Sequence, residues 1–268
     1  MNEQVDIESL PDAEHLYIIG VLLPPSALAV FGEYLGEHVV HTPFGNVGPL
    51  ALRGGPDRTP CWVQPYTGSP TRTDPRATIY AAHQLGVTSI LNWDRGRALN
   101  PLLQLGQSLF VQDYIDGTKH QPITFFADDR QTLLTDLIHI GHEIISPTHS
   151  YYDPTLLPIL QGAFETLELV LPGLIYLGLD GPRLETPAEA RMYRTWGADV
   201  IGFNLIPEVF LAKELAIQYT GVVTITSFSS DHPQPSSYHN ATTAVTEGLE
   251  RAAQALAQLA SYEGPPGS

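Results

Sequence analysis

Three polar residues stand where patterned segments stop: Glu185, Asn204 and Ser227. Each falls at the end of a stretch that reads as a strand or at the start of a helix. In open α/β sheets, ligands sit in the crevice outside the strand ends. A carboxylate, an amide and a hydroxyl placed there can converge on one pocket. A fourth residue, Asp94, lies in the polar stretch NWDRGRALN, residues 92–100. It reads either as a loop carboxylate paired with Arg95 or Arg97, or as a base that activates water. Glu185 also has two readings, a site carboxylate or a charge at a helix start. Metal chemistry is not expected. The ten histidines show no HxxxH or HxH spacing, and Cys61 is the sole cysteine. No phosphate-binding or dinucleotide glycine-rich loop is present, and no Gly-x-Ser-x-Gly elbow. No cofactor is expected.

The elements that must position these groups follow from pattern. Residues 17–23 (YIIGVLL) read as a buried strand stopped at Pro24-Pro25. Further strands are expected at 60–64, 87–91, 108–115, 173–179, 199–203 and 219–226. Helices are expected at 76–85, 155–169 and 240–260. The last has Val245, Leu249, Ala252, Leu256 and Leu259 at helical spacing. Residues 92–100 read as a polar loop. Residues 54–73 and 119–129 are poorly specified, and long irregular loops are often site loops. The densest stretch is GPRLETPAEARMYRTWGADVIGFNLIPEVFLAKE, residues 181–214. Thr186, Pro187 and Glu189 form a capping-box pattern, and Gly197 is placed to end that helix. Asp199 then opens a buried strand, and Pro207 opens another helix with Glu208 on its positive end. Arg183 can lock the turn before the first helix by a salt bridge. Apolar runs alternating with helical patterns predict one α/β domain over residues 1–268, with residues 1–14 and 263–268 as flexible ends.

Bulk composition narrows the partners. The net charge is −16, so no basic stripe exists to neutralise phosphates, and a nucleic-acid partner is not expected. The start lacks the basic and apolar regions of a signal peptide. The longest apolar run is too short to span a bilayer. A lone cysteine allows no intrachain disulfide, and a reducing cytoplasm is the expected location.

The stretch 181–214 resembles the signature of the purine nucleoside phosphorylase and methylthioadenosine phosphorylase family. It matches that family's Gly-Pro-x-Phe-Glu-Thr-x-Ala-Glu, its Gly-Ala-Asp and its Met-Ser/Thr-x-Val-Pro-Glu-Val. HTPFG (41–45), ALNP (98–101) and DYIDGT (113–118) resemble weaker family motifs. The resemblance implies an α/β fold with a central mixed sheet flanked by helices, assembled as a trimer or a dimer of trimers. It implies cleavage of the N-glycosidic bond of a purine nucleoside or a 5′-modified analogue. Phosphate would be the co-substrate.

By that resemblance Glu185 binds the base edge and Leu184 stands where the family stacks a phenylalanine. Ser227 and Ser229 fall at positions that contact the base, with Ser227 donating to N7. Phe203 replaces a methionine beneath the sugar. His239 and His149 are expected on the 5′ side. Asn204 replaces a phosphate-binding hydroxyl. The phosphate loops depart from the family pattern. LLPPSAL keeps only Ser26 as a hydroxyl, residues 66–68 lack the family's arginine and histidine, and the third loop reads Asn92-Trp93-Asp94-Arg95, so Ser26, Asn92, Arg95 and Asn204 are the expected remnant of the phosphate site. Two activities therefore stay open, phosphorolysis and hydrolysis with Asp94 as base. So does a silent paralogue that binds a nucleoside or a partner subunit.

Overall fold

The computed structural model describes residues 11–23, 25–56, 58–65, 74–126, 173–233 and 237–259. The helix expected at 155–169, the segment 66–68, His149, Pro24, the side chain of Ser26 and residues 263–268 lie outside the described residues. Within them the chain forms a nine-stranded mixed sheet flanked by helices. The strands are β1 (His15–Ile19), β2 (Glu33–Thr42), β3 (Gly45–Gly55), β4 (Arg58–Gln64), β5 (Ser89–Ala98), β6 (Ser108–Asp116), β7 (Leu174–Gly178), β8 (Val200–Gly202) and β9 (Gln218–Phe228). The helices are α1 (Pro75–Gln84), α2 (Pro187–Thr195), α3 (Glu208–Glu214) and α4 (Tyr238–Leu259). A 3-10 turn, Pro25–Phe31, follows β1.

The strand order is β2-β3-β4-β1-β5-β8-β7-β6-β9, and β9 also pairs with β5. The last five strands thus close on themselves. β5 is the hub, parallel to β1 and β9 and antiparallel to β8. One core layer joins α1, α3 and the sheet through Ile79, Ile90, Leu109, Leu211 and Val223. Another packs Ala252 and Leu256 of α4 against Tyr17, Phe31 and Trp93. Burial of such apolar side chains is the main stabilising term.

Local signals set the helix starts. Asp74 caps α1 by accepting from Arg76 N at 3.0 Å, with Pro75 in the first turn. The capping box of α2 is formed: Thr186 Oγ1 accepts from Glu189 N at 3.2 Å, and Glu189 Oε2 accepts from Thr186 N at 2.7 Å. Arg183 grips the same Glu189 at 2.8 and 2.9 Å. Gly197, at φ +91°, follows the end of α2.

Two expectations are corrected, and one segment left unassigned gains a structure. Residues 92–98 are not a loop but the second half of β5. Flanking strands pair its backbone, and several of its polar side chains meet buried polar partners instead of water. Residues 33–55, which carry no strong strand pattern, form the β2–β3 hairpin. Thr42 Oγ1 donates to the Gly45 carbonyl at 2.7 Å across its turn. Finally, the end expected to be flexible through residue 14 is anchored at Ala13 and Glu14. Ala13 is buried, and the Glu14 carbonyl accepts from Thr88 N at 2.9 Å. No helix among the described residues is long and apolar enough to cross a membrane.

Candidate active site

Asp94 is fully buried in the middle of β5. Five donors converge on its carboxylate. Oδ2 accepts from the Tyr176 hydroxyl at 2.7 Å, from Phe203 N at 3.1 Å and from Asn204 N at 3.2 Å. Oδ1 accepts from Arg95 N at 2.8 Å and from the Asn204 side-chain amide. Burial pushes the Asp94 pKa up, and these donors pull against it. The elements explain the convergence. β7 supplies Tyr176, and the chain leaving β8 turns its Phe203 and Asn204 amides inward before α3. Asn92 fixes that turn by donating from Nδ2 to the Asn204 carbonyl at 2.8 Å. The end of β1 closes over the cluster, with Gly20 N donating to the Trp93 carbonyl at 2.7 Å. A Cβ on Gly20 would lie 3.2 Å from Asn204 Nδ2 and 3.3 Å from Asp94 Oδ1, so only glycine fits without displacement.

A second cluster lies at the far end of β5. The Glu185 side chain is fully buried, and Arg97 holds it with two hydrogen bonds, Nε to Oε2 at 3.1 Å and Nη2 to Oε1 at 3.0 Å. Ser230 N donates to Oε1 at 2.8 Å. The third Arg97 nitrogen, Nη1, donates to Ser227 Oγ at 3.1 Å. A β-bulge makes this possible: the β5–β9 register slips after Gly96, so that Arg97 faces Ser227 instead of Thr226. Phe203 links the two clusters. Its amide serves Asp94 while its half-buried ring lies over Gly181 in the turn leading to Glu185.

The structure therefore gathers Asn204 and Phe203 around Asp94 and Asn92 in the middle of β5, sets Glu185 and Ser227 around Arg97 at its far end, and revises several roles. Asp94 is paired with neither the Arg95 nor the Arg97 guanidinium. Its carboxylate accepts five hydrogen bonds, which leaves no open position for a water to be activated. Glu185 is not a surface helix-start charge, and its carboxylate is already neutralised by Arg97. Ser229 is fully buried. Its hydroxyl donates to Asp231 at 2.9 Å and accepts from Arg194 at 3.3 Å, so it is turned away from a base-binding role. Arg194 and Asp231 pair at 2.6 Å, which holds the Asp231 pKa down at about 2 and ties α2 to the chain beyond β9. Asn92 braces the backbone and is buried, so its expected phosphate contact is replaced by a structural one. Arg95 is exposed beyond the cluster. Leu184 is half-exposed beside Glu185. His239 stands in the exposed first turn of α4. Trp93 points into the core and donates to Thr224 Oγ1 at 2.9 Å. Among the described residues no three His, Cys, Asp or Glu side chains gather as a metal would require.

Tyr176 and Arg97 are the members that sequence reasoning missed as site groups. A tyrosine inside the apolar run LIYLG was a usable signal, because a buried hydroxyl needs a partner.

Residues 29–262 match the phosphorylase superfamily. A probable S-methyl-5'-thioinosine phosphorylase of Methanopyrus kandleri is 33% identical over 199 residues, covering 72% of this chain and 73% of that one. The chain belongs to the phosphorylase superfamily. Another member, the S-methyl-5'-thioadenosine phosphorylase of Xenopus tropicalis, is 28% identical over 82% of this chain and 79% of its own. The fold agrees with superfamily structures. A methylthioadenosine phosphorylase from Schistosoma mansoni in complex with tubercidin superposes with a TM-score of 0.75 at 19% identity, over 93% of this chain and 92% of that one. A methylthioadenosine phosphorylase from an antarctic soil metagenomic library gives 0.72 at 23% identity, over 93% and 87%.

Proposed function

We propose that this chain cleaves the N-glycosidic bond of a purine nucleoside or of a 5′-modified analogue such as methylthioadenosine. The observation that carries the reading is the Glu185–Arg97–Ser227 chain at the strand ends, within a phosphorylase-superfamily fold. Ser227 Oγ accepts from Arg97, so its own proton is left to donate. A hydroxyl aimed at the purine ring, backed by a guanidinium, favours the negative charge that grows on the leaving base. Glu185 is then a positioning residue that holds Arg97. The half-buried Phe203 ring and the exposed face of Leu184 offer apolar surface for sugar and base. The proposal includes a homotrimer or a dimer of trimers, which a sedimentation experiment showing a stable monomer would contradict. It also includes a cytoplasmic location.

A second reading is a catalytically silent nucleoside binder. It is favoured by the full engagement of both site carboxylates, Asp94 and Glu185. The test is incubation with adenosine, inosine, guanosine and methylthioadenosine, with and without phosphate, and chromatography of the free base. Base release from at least one is expected. Binding without release would favour the silent reading, and neither binding nor release would overturn both.

A further inference from the structure

Four separate segments meet at one point: the end of β1 at Gly20, the middle of β5 at Asp94, β7 at Tyr176, and the turn Phe203–Asn204 after β8. What they present there is a set of donors. Two consecutive main-chain amides, a third amide from Arg95, the Asn204 side-chain amide and the Tyr176 hydroxyl all aim at one small volume. Consecutive inward-facing amides at a turn make an anion-binding concavity. All five donors are uncharged, so the cluster is built for an oxyanion and not around a salt bridge. The anion it holds belongs to the chain itself.

We propose that the Asp94 carboxylate is the resident anion of this subsite, that it excludes inorganic phosphate, and that the pentosyl acceptor is water. The last clause rests on the nucleoside-cleavage reading; the first two do not.

Two physical arguments support exclusion. All five described donors of the cluster are already used by Asp94, and a side chain at Gly20 would press on Asp94 and Asn204, so the space there is closed. A phosphate dianion beside a buried carboxylate would also meet strong like-charge repulsion in a poorly screened setting. Burial raises the Asp94 pKa on balance, while the hydrogen bonds it accepts favour the ionised form. Four of the five donors can only donate. Burial and the adjacent Asp94 keep the Tyr176 pKa well above its usual value, so that hydroxyl stays protonated and donating.

A fixed carboxylate also has a use. In a glycosidic cleavage positive charge grows on the sugar, and a negative charge set among the strand ends favours it, as a bound phosphate would. The reaction then balances with water alone. The water oxygen bonds to C1′ as the C1′–N9 bond breaks, and the bonding pair leaves with the purine. The purine gains a proton to offset the one that water loses. The products are free base and free sugar. Because the Asp94 lone pairs are taken, its contribution is electrostatic and it is not the proton acceptor.

The test combines phosphate titration calorimetry on the intact protein with mass spectrometry of the sugar product. For the wild-type chain we expect no phosphate binding at millimolar concentrations, a base-release rate unchanged by phosphate, and free sugar as product. Asp94→Ser empties the concavity and should bind phosphate at least about tenfold more tightly than wild type. A wild-type rate that saturates with phosphate, or a sugar 1-phosphate product, would overturn the proposal. So would a folded Asp94→Ser protein that gains no phosphate affinity. If Asp94→Ser does not fold, Asp94→Asn removes the charge at constant shape, and the wild-type measurements decide on their own. If no nucleoside is cleaved under any condition, the proposed function fails, while the calorimetry still decides who occupies the subsite.

Discussion

Arg97 reaches Glu185 through two parallel hydrogen bonds of 3.1 and 3.0 Å, and the two partners are unequally buried. The Glu185 side chain is 0% exposed and that of Arg97 is 15%. Removing one partner of a buried pair leaves the other charge uncompensated, at a cost of about 3–5 kcal/mol. Arg97→Ala strands the deeper charge and should approach that cost. Glu185→Ala should cost less, because Arg97 keeps Ser227 and some access to water. Urea unfolding of the two variants checks the order, and a reversed order would contradict the assignment.

The Tyr176 hydroxyl serves Asp94 and also accepts from Asn204 N at 3.2 Å. Tyr176→Phe removes a donor from a buried carboxylate, where a hydrogen bond is worth about 1.5–3 kcal/mol. The variant should lose stability of that order with the fold retained. An unchanged denaturation midpoint would show that the tyrosine contributes packing alone.

Glu208, at the start of α3, gives a pH signature. Its Oε2 is buried with no hydrogen-bond partner among the described residues. Burial first, and the charge on Asp94 second, push its pKa up to about 8, against some relief from its own main-chain amide. An acid with a raised native pKa binds more protons folded than unfolded between its ordinary value of 4.5 and about 8. Its contribution to stability therefore falls as pH rises through that window, on the order of a few kcal/mol. Glu208→Gln should flatten the decline. Thermal unfolding from pH 5 to pH 8 measures it, and a slope equal to wild type would contradict the burial argument.

Cys61 is fully buried and its thiol is pushed up to about 12 by burial. The thiolate is the reactive form. The native protein should resist a thiol reagent at neutral pH and react at once in denaturant. Rapid native modification would mean that β4 opens locally.

Legibility in the sequence followed range. The capping box of α2, the Arg183–Glu189 lock and the strand–helix order of residues 173–228 rest on neighbours a few residues apart, and all three are present in the structure. The partners of Asp94 are not local: Tyr176 and Asn204 lie 82 and 110 residues away. No pattern in NWDRGRALN distinguishes a solvated loop from a strand whose charges find buried partners, and so β5 read as ending too early. Arg97 reads as one of two possible partners of Asp94 because both lie in one short segment. A β-strand points alternate residues to opposite faces, and the bulge after Gly96 turns Arg97 toward Ser227 and Glu185. That register slip leaves no trace in composition.

The most direct measurement of the central claim is a crystal structure grown with adenine and inorganic phosphate. The account predicts the base beside Ser227, between Leu184 and Phe203, with Arg97 still bridging Ser227 and Glu185. It also predicts Asp94 in place among its five donors and no phosphate over Gly20. A base bound elsewhere, or Asp94 swung out with phosphate on the Phe203 and Asn204 amides, would contradict it.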